Sequence, residues 1–274
     1  MRSGTTNIGP TSTTTMKKIF EPLEFASALE GIEAFTTLRG NARTDDNYSE
    51  FNICNYTGDS HEHIVACRRL LCSRLGIDDA QLIMPRQTHS VNVAAITATS
   101  RHDACLDDVD ALVTNLPDVV IGINTADCVP LVFADPTAGV IGAAHAGWKG
   151  TKNSIVAHTL QAMCRLGASP SRIMIAIGAA ICQDCFEVGD EVVEQFAEAG
   201  FDLNAIVKRN TVTGKAHIDL PEANRIIALQ SGVPDANINL SGRCTRCQPM
   251  RYFSARRIGI RSGRIFTAII RRSR

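Results

Sequence analysis

Helices are predicted where apolar residues recur every three or four positions along the chain. The clearest pattern begins at Asp59, which has Glu62 three residues later as in a capping box, and it ends before Gly76. A second helix is predicted before the stop signals Gly167 and Pro170. The apolar faces of these helices are Ile64, Cys67, Leu71 and Leu75, and Val156, Leu160, Met163 and Leu166; shorter helices are predicted over 190–196 and 221–232.

Short apolar runs between the helical segments predict strands. The runs 119–123 and 129–133 are separated only by the turn that holds Cys128, so they predict a hairpin at that turn. Because a hairpin does not occur in a purely parallel sheet, we predict an α+β fold with mixed β-sheets. The remaining predicted strands are 35–37, 81–84, 91–96, 139–144, 173–177 and 217–220.

The C-terminal segment 251–274 is rich in arginine, although the whole chain of 274 residues balances 28 Lys and Arg against 28 Asp and Glu. A balanced chain has no overall field that attracts nucleic acid, so this segment is the one basic candidate. Few aromatic residues lie among its arginines and its isoleucines alternate, which predicts a strand with solvent-facing arginines and no nucleic-acid binding. The alternating residues are Ile258, Ile260, Ile265 and Ile269.

The first 16 residues are polar and rich in threonine, with neither the apolar core of a secretory signal nor the arginine pattern of a transit peptide. We expect 1–16 to be a disordered leader and 17–274 to be the folded part. No stretch approaches the roughly 18 apolar residues of a membrane-spanning helix, so no membrane partner is expected. Ten cysteines without a secretory signal indicate a reducing compartment, and we expect a cytoplasmic protein.

Three side chains combine the chemistry and the position of metal ligands. His89, Cys128 and His145 each lie at the end of an apolar run, next to small or polar residues that leave the side chain accessible. Two imidazoles and a thiolate suit Zn²⁺, and three protein ligands leave a fourth position open, as in catalytic zinc sites. Their spacing matches no compact zinc finger, so the residues alone also leave open three unrelated structural side chains.

A glycine-rich loop, HAGWKG at 145–150, follows the last of these positions. It leads into a helix whose N-terminus favours an anion, and Lys149 is a nearby cation; the alternative is a tight turn that packs Trp148. A metal ion beside an anion pocket suits phosphate attack on a glycosidic carbon, or attack of activated water on an aromatic amine.

Six motifs then carry a resemblance to a known family. They are QTH at 87–89, TADCVP at 125–130, AHAGWKG at 144–150, FEVG at 186–189, CT at 244–245 and FSARR at 253–257. With these motifs in this order, the chain from about Phe35 to Ile269 resembles the bacterial laccase-domain family, whose members are also called purine nucleoside phosphorylases or polyphenol oxidases.

The resemblance implies a single-domain fold with layers in the order α/β/β/α, and a zinc site whose ligands fall on His89, Cys128 and His145. It also implies phosphorolysis of adenosine, inosine, guanosine and 5′-methylthioadenosine to the free base and pentose 1-phosphate, together with adenosine deamination. The substrates would be purine nucleosides and inorganic phosphate. Copper is the alternative metal, because Cu²⁺ outranks Zn²⁺ in general affinity.

Roles for individual residues follow from this chemistry. We expect catalytic roles for Cys128, His89 and Asp127. Asp127 lies beside the thiol and would shuttle a proton in deamination; alternatively, it bonds only to its own turn. The reaction needs cations and hydrogen-bond donors that hold phosphate and ribose, and the candidates are Arg39, Asn52, Gln87, Lys149 and Arg256.

The chain departs from the family pattern near some of these motifs. Leu38 stands where the family usually has Arg, and Ala255 stands where the late motif usually has Tyr. Neither departure falls on the metal trio. The departures therefore concern substrate preference and deaminase activity, and they leave the expected metal ligands unchanged.

Two other enzyme classes fit some of the same residues. A laccase needs a trinuclear copper cluster and on the order of ten histidines, mostly in His-x-His pairs. This chain has seven histidines and one such pair, His61 and His63, so that cluster cannot be built. A metal-free cysteine hydrolase, with Cys128 as nucleophile and His145 or His89 as its base, stays open.

Two Cys-x-x-Cys pairs, Cys182 with Cys185 and Cys244 with Cys247, add a structural alternative. Together they would form a four-thiolate zinc knuckle, and singly they would be redox pairs. The two pairs lie much farther apart than those of a usual knuckle, and Cys244 already belongs to a family motif. We therefore predict one metal centre, at the trio.

Overall fold

The computed structural model describes residues 19–25, 29–41, 46–98 and 105–273, so the expected leader 1–16 lies outside the described residues. The strands are β1 (Phe20–Pro22), β2 (Ile32–Thr37), β3 (Leu82–Ile83), β4 (Val93–Ile96), β5 (Ala111–Thr114), β6 (Val120–Thr125), β7 (Val129–Asp135), β8 (Val140–Ala146), β9 (Met174–Ile177), β10 (Glu187–Val188), β11 (Val207–Arg209), β12 (Ala216–Ile218), β13 (Ile238–Leu240) and β14 (Ile265–Arg271). The helices are α1 (His61–Leu75), α2 (Trp148–Lys152), α3 (Ile155–Arg165), α4 (Asp190–Glu198), α5 (Leu203–Ile206), α6 (Leu220–Gln230) and α7 (Ala255–Ile258).

Two large mixed sheets form the centre of the molecule. The first has the strand order β1-β2-β14-β6-β3, and the second has the order β13-β9-β7-β8-β5-β4. In the first sheet, β14 pairs antiparallel with β2 and β6, whereas β3 and β6 are parallel. In the second, β7 pairs antiparallel with β8 and β9, whereas β4 and β5 are parallel. A third, small sheet has the order β10-β12-β11. The mixed sheets confirm the predicted α+β class.

The two large sheets pack face to face. Ile121 and Ile123 of the first sheet share one buried apolar cluster with Leu112 and Val132 of the second. The central strands of both sheets are apolar on both faces, because helices cover the outer face of each sheet. Such strands have continuous hydrophobic runs in the sequence rather than alternating ones. This sandwich of sheets is the inner pair of layers.

Helices cover the outer face of each sheet. On the first sheet, Leu71 of α1 packs with Phe266 of β14. On the second, Phe133 of β7 packs with Leu160 of α3 and Ile227 of α6. Full burial of a side chain such as Leu71 contributes about 2 kcal/mol to folding, so these contacts fix the layer order. The order is α/β/β/α within one domain, as the resemblance implied.

The segment that holds Cys128 is not a hairpin, and this part of the prediction was wrong. β6 belongs to the first sheet and β7 to the second, so the turn between them crosses from one sheet to the other. Both strands are buried along their whole length, and each finds its hydrogen-bonding partners elsewhere in the chain. Proximity along the chain does not distinguish such a crossing from a hairpin.

The C-terminal prediction also needs correction. Ile258 ends the short helix α7, and Ile260 lies in a loop with 79% of its surface exposed. The strand β14 begins only at Ile265, and it lies between two other strands with nearly all its residues buried. The strand predicted from the alternating isoleucines therefore began too early, since Ile258 and Ile260 lie outside β14.

The helix signals were largely confirmed, with two differences in detail. The N-cap of α1 is Ser60 rather than Asp59, and its Oγ accepts the backbone N–H of His63 at 3.2 Å. Gly76 closes α1 in the left-handed region at φ 64°, as its position predicted. The helix after the glycine loop is split, because Ser154 at φ 61° separates α2 from α3. None of the helices among the described residues is long and apolar enough to cross a membrane.

Candidate metal centre

The strand topology brings the three predicted metal ligands to one end of the sheets. β7 and β8 are antiparallel, and Pro130 at the start of β7 lies opposite His145 near the end of β8. Cys128 in the crossing turn therefore lies beside His145. The third ligand, His89, lies in the loop between β3 and β4 and has φ 66°, a left-handed conformation that turns the chain back towards the site.

The side chains of the trio form one compact cluster. The Sγ atom of Cys128 lies 3.7 Å from Nε2 of His89. The two imidazole rings lie edge to face, with their centroids 4.8 Å apart. The potential ligand atoms of all three residues lie within 4.8 Å of one another. His145 is buried, Cys128 is half-buried and His89 is exposed, so the cluster opens to the surface on the His89 side.

A fully buried carboxylate, Asp110, orients the cluster. Its Oδ1 accepts a hydrogen bond from Nδ1 of His145 at 2.6 Å and from the backbone N–H of His89 at 3.1 Å. Its Oδ2 accepts from the backbone N–H groups of Thr88 and Ser90 and from the Ser90 hydroxyl. Because the carboxylate requires the hydrogen on Nδ1, it leaves Nε2 of His145 free as the ligand atom.

Asp110 was missed in the sequence because the strand β5, which it precedes, was not predicted. It has the same position at the end of a buried strand as the ligands themselves. An acidic residue in front of the run Ala111–Thr114 is the signal that would have found it.

Gly147 makes room for the cluster. A Cβ atom added there would lie 2.5 Å from Cδ2 of His89 and 3.1 Å from Sγ of Cys128. Any other side chain would displace one of the two ligands. The glycine of the HAGWKG motif is thus explained by the close approach of its backbone to the ligands.

The charges of the trio depend on one another. Burial raises the pKa of the Cys128 thiol, but His145 and His89 outweigh burial and lower that pKa to about 6. Burial lowers the pKa of His145, whereas the Cys128 thiolate and Asp110 raise it to about 9. Burial raises the pKa of Asp110, and His145 with the loop amides lowers it to about 2. Without a metal ion, these values give a thiolate on Cys128 and a protonated imidazole on His145 at neutral pH, so a metal ion bound here would displace the proton from Nε2 of His145.

These observations fit a metal ion. The donors are two imidazole nitrogens and one thiolate sulfur, one imidazole has a carboxylate behind it, and a glycine keeps the centre clear. Three protein ligands with one open side match the composition of catalytic zinc sites.

Asp127 lies in the crossing turn at φ 89°, with a buried side chain. Its Oδ1 accepts from the hydroxyl of Thr245 at 2.7 Å, and its Oδ2 accepts from the backbone N–H of Arg256 at 2.6 Å. Both oxygens thus bind residues that are distant in the chain, so the alternative of bonds within its own turn was wrong, and the proton shuttle stays a prediction. These bonds fix the turn that carries Cys128.

Two of the residues that were predicted to bind phosphate or ribose, Gln87 and Asn52, form hydrogen bonds within the fold. The Gln87 amide donates to the carbonyl of Asn124 and accepts its N–H, at 2.8 and 2.7 Å. Asn52 is fully buried; its amide donates to Asp59 and its oxygen accepts the N–H of Arg264. Both amides therefore hold loops together, and their contact with phosphate or ribose stays a prediction.

Arg39 is also buried, with 4% of its surface exposed. Its Nε and Nη2 donate to the hydroxyl of Ser49, and its Nη1 donates to the carbonyl of Pro249 at 2.7 Å. The guanidinium lies 4.9 Å from the ring centroid of Phe253. Arg39 therefore connects the 49 loop to the segment before α7.

The two remaining candidates are exposed cations, Lys149 and Arg256. Lys149 is exposed in α2, two residues after Gly147. Arg256 binds Asp127 through its backbone, and its exposed guanidinium lies over the Phe186 ring and donates to the carbonyl of Glu187. These two cations are the predicted anion ligands that the structure leaves accessible.

Comparison with known proteins places this site in a family. Residues 33–272 match the family model described as multi-copper polyphenol oxidoreductase laccase. The chain is 52% identical over 258 residues to adenosine deaminase RL5 of an unknown prokaryotic organism, covering 92% of this chain and 98% of that protein. It is 39% identical over 254 residues to a purine nucleoside phosphorylase of Bacteroides thetaiotaomicron, covering 90% and 94%.

A solved structure agrees with these relatives. The crystal structure of YlmD from Geobacillus stearothermophilus superposes with a TM-score of 0.81 at 32% identity, covering 89% of this chain and 93% of that chain. The motifs on which the resemblance rested lie within the matched residues, and three of them, QTH, TADCVP and AHAGWKG, carry the cluster described above. The chain therefore belongs to the multi-copper polyphenol oxidoreductase laccase family.

Proposed function

We propose that this protein is a zinc-dependent purine nucleoside phosphorylase that also deaminates adenosine. It cleaves adenosine, inosine, guanosine and 5′-methylthioadenosine with inorganic phosphate to the free base and pentose 1-phosphate. The observation that carries the proposal is the open cluster of His89, Cys128 and His145 with Asp110 behind it. The names of the relatives, purine nucleoside phosphorylase and adenosine deaminase, support both activities.

The trio would hold the zinc ion through two ring nitrogens and Sγ of Cys128. Zinc bound there supplies a Lewis acid and lowers the pKa of water. The chain keeps these ligands ready, since Asp110 fixes the His145 ring and the thiol of Cys128 is ionised at neutral pH.

The accessible cations would bind phosphate. Lys149 and Arg256 lie on segments that adjoin the trio through Gly147 and Asp127, and both are exposed. In phosphorolysis a phosphate oxygen forms a bond to the anomeric carbon while the glycosidic bond breaks, and the bonding electron pair leaves with the purine, which takes up a proton. Positive charge near the attacking phosphate stabilises it for this displacement.

Asp127 would act as a positioning residue in this scheme. Its carboxylate joins the crossing turn to Thr245 and to the start of α7. It therefore sets the place of Cys128 and of Arg256 relative to each other.

An oxidase reaction is less well supported by the residues. Among the described parts of the chain, the groups of side chains that could hold a metal are this trio and a set of four cysteines. Neither group contains the additional histidines of a trinuclear copper cluster. The nucleoside reactions need only the one centre.

The test combines metal analysis with product analysis. The purified chain is incubated with adenosine in the presence and absence of phosphate, and the products are separated by chromatography. We expect adenine only when phosphate is present, and inosine in both samples. A Cys128→Ala variant should lose zinc and both products, whereas Cys164→Ser, which replaces an exposed thiol on α3, should keep them.

Two results would contradict the proposal. Zinc bound at the trio without any product from the four nucleosides would remove the assigned substrates. A chain without metal, in which Cys128 is alkylated rapidly, would indicate a cysteine hydrolase instead.

A further inference from the structure

The two Cys-x-x-Cys pairs, far apart along the chain, meet in the fold. The Sγ atoms of Cys182, Cys185, Cys244 and Cys247 all lie within 4.8 Å of one another. All four cysteines are free thiols. We call this group the four-cysteine cluster.

The backbone brings the two pairs together. Ala180 and Cys244 form an isolated parallel bridge, in which the N–H of Ala180 donates to the carbonyl of Arg243 and the N–H of Thr245 donates to the carbonyl of Ala180. Each pair then forms a single tight turn. The N–H of Cys185 donates to the carbonyl of Cys182, and the N–H of Gln248 donates to the carbonyl of Cys244. The cluster is thus held by main-chain hydrogen bonds outside it.

The sulfur separations suit a single ion. Four sulfurs at about 2.3 Å from one tetrahedral ion would be about 3.8 Å apart. The four Sγ atoms all lie within 4.8 Å of one another, and Sγ of Cys185 lies 3.4 Å from Sγ of Cys247, so their separations are compatible with this value. In [2Fe–2S] and [4Fe–4S] clusters the four thiolates are divided among two or four iron ions, so they do not all surround one ion.

Two hydrogen-bond donors contact sulfurs of the cluster. The backbone N–H of Cys182 donates to Sγ of Cys244 at 3.3 Å. The guanidinium of Arg246 donates to Sγ of Cys185 at 3.5 Å. Four thiolates carry four negative charges, and a divalent cation with these donors would offset much of that repulsion.

We propose that the four-cysteine cluster binds a second zinc ion, which is structural. All four positions of a tetrahedral ion would be filled by the protein, so no place remains for water or substrate. Both pairs lie in short connecting segments with little regular structure, where an ion that crosslinks them adds stability. This proposal differs from the sequence-based prediction of a single metal centre.

The second zinc ion would lie next to the residues that bind the crossing turn. Ile181, which precedes Cys182, donates its N–H to the carbonyl of Asp127 at 2.9 Å. Thr245, which follows Cys244, donates its hydroxyl to the carboxylate of Asp127. An ion that joins Cys182 to Cys244 would therefore fix two of the hydrogen bonds of Asp127, the residue before Cys128.

The first experiment counts zinc in the full chain, purified under reducing conditions without chelator. We expect two zinc ions per chain in the wild type and in Cys164→Ser, and one fewer in the double variant Cys185→Ser/Cys247→Ser. Cys128→Ala should also lose one ion, and this ion is the one on which the proposed function depends. If the trio holds no zinc, the wild type would have one ion that only the double variant loses, which supports the second site and refutes the first.

A second measurement does not need the Cys185→Ser/Cys247→Ser variant. Cobalt replaces zinc in the wild-type chain, and four thiolate ligands give an intense sulfur-to-cobalt absorption that the two-histidine, one-cysteine centre cannot match. We expect this absorption in Cys128→Ala as well as in the wild type.

Three outcomes would overturn the proposal. They are an unchanged zinc content in a folded Cys185→Ser/Cys247→Ser variant, the lack of the four-thiolate cobalt spectrum in the wild type, and iron in place of zinc in the chain as purified.

Discussion

Replacement of Asp110 by asparagine tests whether the carboxylate prepares the metal centre. The side chain keeps its size, but the negative charge behind His145 disappears. Asp110 accepts five hydrogen bonds, from Nδ1 of His145, from the N–H groups of Thr88, His89 and Ser90, and from the Ser90 hydroxyl.

The cost follows from the geometry of these bonds. An asparagine has one acceptor oxygen, so its NH₂ group must replace either Oδ1 or Oδ2 of Asp110. It then faces the donors that this oxygen now binds, which are His145 and His89 for Oδ1, or Thr88 and Ser90 for Oδ2. At least two N–H donors then lose their acceptor in a fully buried place, at about 1 to 3 kcal/mol each. His145 can also adopt the other tautomer, in which Nε2 carries the hydrogen and does not bind metal.

We therefore expect Asp110→Asn to weaken zinc binding at the trio by about 10- to 100-fold, the usual effect of losing such a partner. The matched control is Asp108→Asn, an exposed carboxylate that contacts the side chains of Thr88 and Asn92 in the same loop. Zinc affinity is measured by competition with a chromogenic chelator, in chains whose four-cysteine cluster is already loaded. Equal affinity in Asp110→Asn and Asp108→Asn would refute the role of Asp110.

Three further predictions follow from the structure. Gly147→Ala places a Cβ atom 2.5 Å from His89, so chelator competition should show at least tenfold weaker zinc binding, whereas Gly150→Ala, with its nearest neighbour at 3.5 Å, should leave the affinity unchanged. Thr245→Val removes the hydroxyl bond to Asp127, worth about 1 kcal/mol, and should lower kcat several-fold with unchanged zinc content; an unaltered kcat would contradict the positioning role of Asp127. The carboxylate of Glu21 binds Arg243, Arg251 and Tyr252, and although burial raises its pKa, these partners lower it below the usual value. The stability that this carboxylate contributes is thus complete above the unfolded pKa of about 4.3 and is lost as the pH falls through the lower folded pKa. Glu21→Gln should therefore reduce the free energy of unfolding by about 1 to 3 kcal/mol at pH 7, and by progressively less in a series of unfolding measurements below pH 4. A reduction that does not change with pH would contradict the role of the Glu21 charge.

The sequence predicted the elements of this fold better than their partners. The face of α1 and the stop at Gly76 follow from helical spacing and from a local φ requirement, and both are confirmed. The hairpin at Cys128 was wrong because strand pairing depends on long-range contacts. β6 pairs with β14, which lies at the other end of the chain, and local patterns do not contain that information.

The same limit applies to the site. His89, Cys128 and His145 were found by residue type and by their place at strand ends, and the structure brings them together. Asn52 and Arg39 were chosen for their chemistry, but burial cannot be read from type alone, and both side chains point into contacts within the fold. The meeting of the four cysteines rests on the Ala180–Cys244 bridge, a tertiary contact that the spacing of the pairs argued against.

The crossing at Cys128 explains why the three candidate metal ligands meet at this end of the sheets. His89 follows β3 of the first sheet, and His145 lies on β8 of the second. Cys128 lies in the turn from β6 of the first sheet to β7 of the second. An ion at the trio therefore joins both layers of the sandwich, and an ion at the four-cysteine cluster joins the segments that hold Asp127 in the same connection. If both ions are bound, removal of the ion from the four-cysteine cluster should loosen the turn that holds Cys128. Zinc binding at the trio should then weaken, because both sites depend on this one segment of chain. Zinc affinity at the trio should then be lower in Cys185→Ser/Cys247→Ser than in Cys164→Ser, and equal affinities would show that the turn is held without the second ion.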